Sequence, residues 1–111
     1  MKDLYSISFY NKHVQHTIMN LPDNLQVRFI GLSGRMIKNG PNLGLPHTQA
    51  FGKGLFELRL KSVEGIARVF FCLLINKKIV MLHAFTKKSQ KTPDKEIRIA
   101  KLRMKELANA Q

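Results

Sequence analysis

Three apolar runs lie between Leu55 and Phe85, and the connections between them are too short for anything but antiparallel neighbours. Leu55 to Leu60 is the first run and Ile66 to Ile75 the second. Ile79 to Phe85 is the third, and it continues into Thr86-Lys87-Lys88-Ser89. Turn-forming residues separate them, Ser62 to Gly65 and then Asn76-Lys77-Lys78. The period of a strand puts Phe56, Leu58 and Leu60 on one face of the first run and Glu57, Arg59 and Lys61 on the other. The second run is apolar on both faces apart from Arg68, the pattern of a central, buried strand. A two-residue turn at Asn76-Lys77 sets Ile75 opposite Lys78 and Arg68 opposite Phe85, so His83, Phe85 and Lys87 share the face of Arg68. The turn before Gly65 leaves two registers open, with Arg59 opposite Arg68 or one position along, and a one-residue slip exchanges the faces. In the first register, one face of this meander collects Arg59, Arg68, His83 and the start of a lysine run. Unpaired cations on a sheet repel one another and lose solvation. Either Glu57 neutralises them as an ordinary ion pair, or the missing anion is a phosphate.

The balance of charge bears on that choice. The chain carries 19 Lys+Arg against 7 Asp+Glu, a net charge of +12 with a pI near 10.3. So strong an imbalance in 111 residues says little about fold but favours a polyanionic partner: nucleic acid, a ribosome, an acidic membrane or an acidic protein. The length and the 44% hydrophobic content suit one domain, residues 1–111, with a single modest core. Cys72 is the only cysteine and lies in the most apolar run, as a core thiol in a reducing compartment would. No apolar run reaches membrane-spanning length, and Met1-Lys2-Asp3 leads into no signal-peptide pattern, so the expectation is a cytoplasmic protein with no membrane partner.

Before the meander, Leu4 to Tyr10 alternates as a first strand expected at a sheet edge. Asn11 caps a short helix running to about Met19. His13 and His16 lie three apart on it; no Cys, Asp or Glu stands close by to complete a metal site, and a solvated helix face is the plainer account. Pro22 suits the first position of a second helix ending near Lys38, with Leu25, Phe29, Leu32 and Met36 as its core stripe. Gly31 and Gly34 weaken that helix and suggest close packing against the first. From Asn39 to Gly54 the chain reads as a long Gly-, Pro- and Asn-rich loop carrying His47 and Lys53, the kind of loop that is functional or mobile. Gly52-Lys53-Gly54 lacks the strand, helix and hydroxyl of a phosphate-binding loop. After the meander, Thr92-Pro93-Asp94 starts a last helix with a hydroxyl cap, a proline and an acid. Ile97, Ala100, Met104 and Leu107 are its buried stripe, and Lys95, Arg98, Lys101, Arg103 and Lys105 cover the rest. With Lys87, Lys88 and Lys91 ahead of it, that basic stretch is either a solvated face or a track for phosphates. No Ser-His-Asp order and no paired carboxylates occur, so an enzyme built from this chain relies on cations and at most a histidine.

The order strand, two helices, three-stranded meander, helix resembles the RelE/ParE toxin fold, an α+β arrangement β-α-α-β-β-β-α with an antiparallel meander and helices packed on the sheet. Four motifs sharpen the likeness: Gly54-Leu55-Phe56-Glu57-Leu58-Arg59; Arg68-Val69-Phe70-Phe71; Leu82-His83-Ala84-Phe85-Thr86-Lys87-Lys88; and Lys91-Thr92-Pro93-Asp94-Lys95-Glu96-Ile97. In this order they resemble the phage Gp49-like branch of HigB toxins over roughly residues 50 to 108. The resemblance implies the toxin of a type II toxin–antitoxin pair, a ribosome-dependent mRNA endonuclease that inhibits translation. The implied partners are the ribosome and mRNA, a HigA-like helix-turn-helix antitoxin, and operator DNA reached only through the antitoxin complex. No cofactor and no metal are implied, because RNA supplies its own nucleophile, the 2′-hydroxyl. By position the catalytic candidates are Arg59, Arg68, His83, Lys87 and Lys88; cations hold the scissile phosphate and stabilise the developing charge, and His83 or His47 transfers protons. His47, Lys53, Lys91, Lys95, Arg98 and Lys101 are the RNA- or ribosome-binding candidates. Some relatives use a late tyrosine for proton transfer, but only Tyr5 and Tyr10 occur here, so that role is unfilled or passes to His or Lys. Two other readings compete: a ParE-like poison of DNA gyrase that binds without catalysis, and a basic RNA-binding module, which exposed aromatics on the cationic face would favour.

Overall fold

A computed structural model of the chain describes residues 3–88 and 91–110. Among them the elements run β1 (Ser6–Phe9), α1 (Lys12–Met19), α2 (Asp23–Asn39), β2 (Thr48–Ala50), β3 (Leu55–Ser62), β4 (Gly65–Leu74), β5 (Lys78–Lys87) and α3 (Asp94–Ala110). One five-stranded sheet has the order β1-β5-β4-β3-β2, so the apolar β4 is central, as its composition demands. β3, β4 and β5 form the antiparallel meander, and β1 closes one edge parallel to β5. Ser89, at the end of the lysine run, lies outside the described residues.

The sheet separates two apolar clusters. On one face Leu58, Leu60, Val69, Phe71, Ile79 and Met81 pack against Val14 and Ile18 of α1 and Leu25, Phe29, Leu32 and Met36 of α2. On the other, Leu55, Phe70, Cys72, Val80 and Leu82 receive Ile97, Ala100, Met104 and Leu107 of α3. Both helical stripes are those expected from a 3.6-residue period. Burial pushes the Cys72 thiol up to about 11, which suits an inert core thiol. Asn11 caps α1, its Oδ1 accepting from the Val14 N–H at 2.8 Å.

Several details depart from expectation. The segment from Asn39 to Gly54 is not all loop: Thr48–Ala50 adds an edge strand to β3, pairing Thr48 with Leu58 and Ala50 with Phe56. Gly52 and Gly54, at φ of 84° and 87°, make the turn of that hairpin, with Lys53 between them also at positive φ. Gly31 and Gly34 do not mark close packing, since a Cβ at either would meet nothing within 4 Å. Thr92 does not cap α3; its hydroxyl is turned back to the sheet, as described below. Arg103 is not on a solvated face: Nη1 donates to the Leu82 carbonyl at 2.8 Å and the guanidinium lies 4.8 Å from the centre of the Tyr10 ring.

The β4–β5 register shows two offsets that cancel. Leu74, not Ile75, stands opposite Lys78, so the turn holds three residues, with Asn76 and Lys77 at positive φ. A bulge then follows between the pairs Phe71–Met81 and Phe70–His83, leaving Leu82 as the extra residue of β5. Beyond it the pairing returns to Arg68 opposite Phe85. At the other turn Ser62 faces Gly65, which brings Arg59 directly opposite Arg68.

Candidate functional site: a carboxylate-centred cation cluster

The two arginines arrive together because both strands alternate and the Val63-Glu64 turn is tight. Between them sits Glu57, two residues before Arg59 on the same face of β3 and fully buried. Its Oε1 lies 3.4 Å from Arg59 Nε and 3.5 Å from Arg68 Nε. Its Oε2 accepts from the Thr92 hydroxyl at 2.6 Å, and that hydroxyl accepts from Lys87 Nζ at 3.2 Å. One carboxylate thus ties β3, β4, β5 and the entry to α3 into a single polar group. Glu57 does neutralise the arginines, but only in part: two guanidinium groups, those of Arg59 and Arg68, share one carboxylate.

Each cation is held differently. Arg59 is partly exposed; its Nη2 also bonds the Gln49 side-chain oxygen on β2, and its backbone N–H donates to the His47 carbonyl at 2.8 Å. Arg68 is only 3% exposed. Its Nη1 donates to the Ala67 carbonyl at 3.3 Å, while Nε makes no hydrogen bond despite its closeness to Glu57. Burial lowers the Arg68 pKa, Glu57 opposing and Arg59 adding to the shift; a guanidinium nevertheless stays charged. Burial also lowers the Lys87 pKa, and the Arg68 charge lowers it further. An arrangement of two fixed guanidinium groups set face to face is suited to a tetrahedral oxyanion, which accepts several charge-assisted bonds at once.

Beside this cluster lies a cleft of about 320 Å³ lined by Arg59, Arg68, Lys61, His47 and Pro46, with Arg28 and Leu32 of α2 as its far wall. His47 therefore belongs with the arginines. His83 shares their sheet face but is engaged elsewhere: its Nε2 is 3.1 Å from Glu96 Oε2, and its ring lies against Phe85, which stacks on Phe70. Lys88 stands just past β5 and lines a second groove together with Lys87, Leu25, Glu64 and Ile66. Lys53 pairs spatially with Lys101 in another cleft, beside Phe51 and Met104. Lys91, Lys95 and Arg98 are exposed at the start of α3, Lys95 bordering an open cleft with Phe85 and Leu21. His13 and His16 are exposed on α1. The structure thus gathers Arg59, Arg68, Lys87 and His47 and disperses the rest.

Sequence reasoning did not find Gln49, Thr92 or Arg28 as members of this region, and it placed Lys61 on the face of Arg59 without naming it as a site residue. Thr92 carried the signal of a helix cap, which masked its bond to Glu57. Gln49 and His47 were reachable from the Gly52-Lys53-Gly54 turn, which folds the preceding residues back onto β3. Nothing local marks Arg28.

The fold is that of RelE-like toxins. A double arginine-to-alanine variant of E. coli toxin RelE in the free state superposes with a TM-score of 0.65 at 10% identity, covering 90% of this chain and 97% of that one. The archaeal RelE of the RelE–RelB complex from Pyrococcus horikoshii OT3 gives 0.52 at 17% identity, covering 78% of this chain and 98% of that one. Within that architecture the chain belongs to the family of phage-derived Gp49-like proteins, whose family model matches residues 16–105. No curated protein matches the sequence. Among the described residues, no helix is long and apolar enough to cross a membrane.

Proposed function

We propose that this chain is the toxin of a type II toxin–antitoxin pair and cleaves mRNA in the ribosomal A site, so arresting translation. The observation that carries the reading is the Arg59–Arg68 pair, set face to face by strand register around one buried carboxylate and opening onto a cleft. A structural ion pair would need one cation for Glu57; the surplus is what a phosphodiester would satisfy. Arg68 and Arg59 hold the scissile phosphate and stabilise the added negative charge as the ribose 2′-hydroxyl attacks. Lys87, its proton loosened by burial, adds to that field. His47, which lines the same cleft, is favoured for proton transfer over His83, whose ring nitrogen faces Glu96. Lys88 serves on the neighbouring groove, and Lys53, Lys91, Lys95, Arg98 and Lys101 track the RNA or ribosome backbone. A helix-turn-helix antitoxin is the partner that silences the toxin and carries it to operator DNA. The protein acts in the cytoplasm, where the ribosome is.

The test is primer extension on a reporter mRNA after brief induction in cells, comparing wild type with Arg59→Ala and Arg68→Lys. New 5′ ends within translated codons, lost in both variants while both remain folded, are the expected result. Growth arrest with intact mRNA would overturn the nuclease reading and favour inhibition of DNA gyrase.

A further inference from the structure

We infer that the cleft between α2 and the outer edge of β3 is a second phosphate subsite, in which Arg28 and Lys61 grip the phosphodiester next to the one that is cut. The inference rests on the nuclease reading for the identity of the RNA, but the subsite itself stands on geometry. β2 covers β3 only from Phe56 to Leu58, so the edge beyond Arg59 is left without a strand partner. α2 runs beside that gap, and Arg28 and Leu32, one turn apart, face into it. The resulting cleft, about 320 Å³, is of the size that takes a small ligand such as one nucleotide.

Its chemistry is one-sided. Arg28, Lys61, Arg59 and Arg68 line it with His47, and no carboxylate does. Among the described residues neither Arg28 nor Lys61 has an ion-pair partner, whereas Arg59 and Arg68 share Glu57. Arg68, whose buried Nε makes no hydrogen bond, is one of the residues lining the same cleft. Arg59 and Lys61 stand two residues apart on one face of β3, so a chain of phosphates that begins on the Arg59–Arg68 pair continues naturally onto Lys61 and Arg28. Leu32 and Pro46 supply an apolar patch for a base or ribose but no hydrogen-bonding groups to read it. The subsite therefore takes single-stranded RNA by its backbone, with little base preference.

The probe is a 2′-O-methyl trinucleotide, which cannot be cut because the attacking hydroxyl is blocked. Binding is titrated at several salt concentrations with wild type, the double variant Arg28→Ala/Lys61→Ala, its Arg28→Gln/Lys61→Gln counterpart, and Lys12→Ala on α1 as a charge control. Both double variants are expected to bind about tenfold more weakly, with the slope of log K against log salt shallower by about 0.7. In ribosome-programmed cleavage they are expected to raise KM about tenfold and leave kcat within about twofold. Unchanged binding and KM in folded double variants, or an equal loss in Lys12→Ala, would overturn the subsite. Wild-type protein that cuts no mRNA, while the double variants still lose the trinucleotide, would overturn the nuclease reading and leave the subsite standing.

Discussion

Glu57 decides the character of the site because it is the only anion in contact with the facing arginines among the described residues. Removing one member of a buried pair costs more than the pair contributes, since the other charge is left uncompensated. Glu57→Gln keeps the side-chain shape and the bond to Thr92 but strands Arg68. It is expected to lower stability by about 3 kcal/mol in urea unfolding; a loss under about 0.5 kcal/mol would show that the pair contributes no more than an exposed one. Lys87 sets a pH limit. Its pKa is lowered in the folded protein, chiefly by burial and then by Arg68. In the window between that lowered value and the ordinary lysine value near 10.4, the unfolded chain holds a proton that the folded one has released. Folding stability therefore rises with pH across the window, while the site loses a cation and cleavage falls. Lys87→Arg should move that alkaline fall in activity to higher pH; a pH profile that does not change would remove Lys87 from the reaction.

Helix α2 is weaker than its packing requires. Its inner stripe is in the core, but Gly31 and Gly34 lie off that stripe in the helix interior with no close neighbour to justify them. Gly31→Ala adds a methyl into open space and removes backbone entropy from the unfolded chain, so a gain of about 0.5–1 kcal/mol is expected by thermal or urea unfolding. A loss instead would mean that the bare face of α2 meets something in solution. Helix α3 is held by few groups. Ala100 is its only fully buried residue among those described, and Arg103 fastens it through the Leu82 carbonyl and the Tyr10 ring, while Tyr10 also bonds Glu106. The Leu82 that offers this carbonyl is the extra residue of the β5 bulge. One irregularity thus restores the register at Arg68 and also presents an anchor for α3.

The whole molecule carries +12, and its cations repel one another in the compact state. Added salt should therefore raise the melting temperature from low ionic strength up to about 0.5 M, as screening shortens the range of that repulsion. Over the same range its affinity for RNA should fall, linearly in log–log form, because binding releases counterions. A melting temperature that drops with salt would show that specific ion pairs, not net repulsion, dominate the electrostatics.

The meander, its central strand, the inner stripes of α2 and α3 and the cap at Asn11 were legible from alternation, helical period and turn residues, whereas the face shared by Arg59 and Arg68 was one of two registers until the Ser62–Gly65 pairing decided it. These are local physical rules, and the four ordered motifs added the toxin resemblance. Local rules failed where distant elements compete for a group. The Thr92 hydroxyl has both a helix terminus and a buried carboxylate within reach of the chain, and burial makes the Glu57 bond prevail. The loop before β3 becomes a strand because an open sheet edge offers its backbone partners. The turn after β4 is one residue longer than its residues suggest, and the bulge at Leu82 compensates. The cleft walled by Arg28 joins residues more than thirty positions apart, and no periodicity connects them. The sequence by itself determined the meander, the three helices and the sides they bury; only tertiary packing added the edge strand β2 and decided which charges meet, because both depend on where sheet edges end and helices cross.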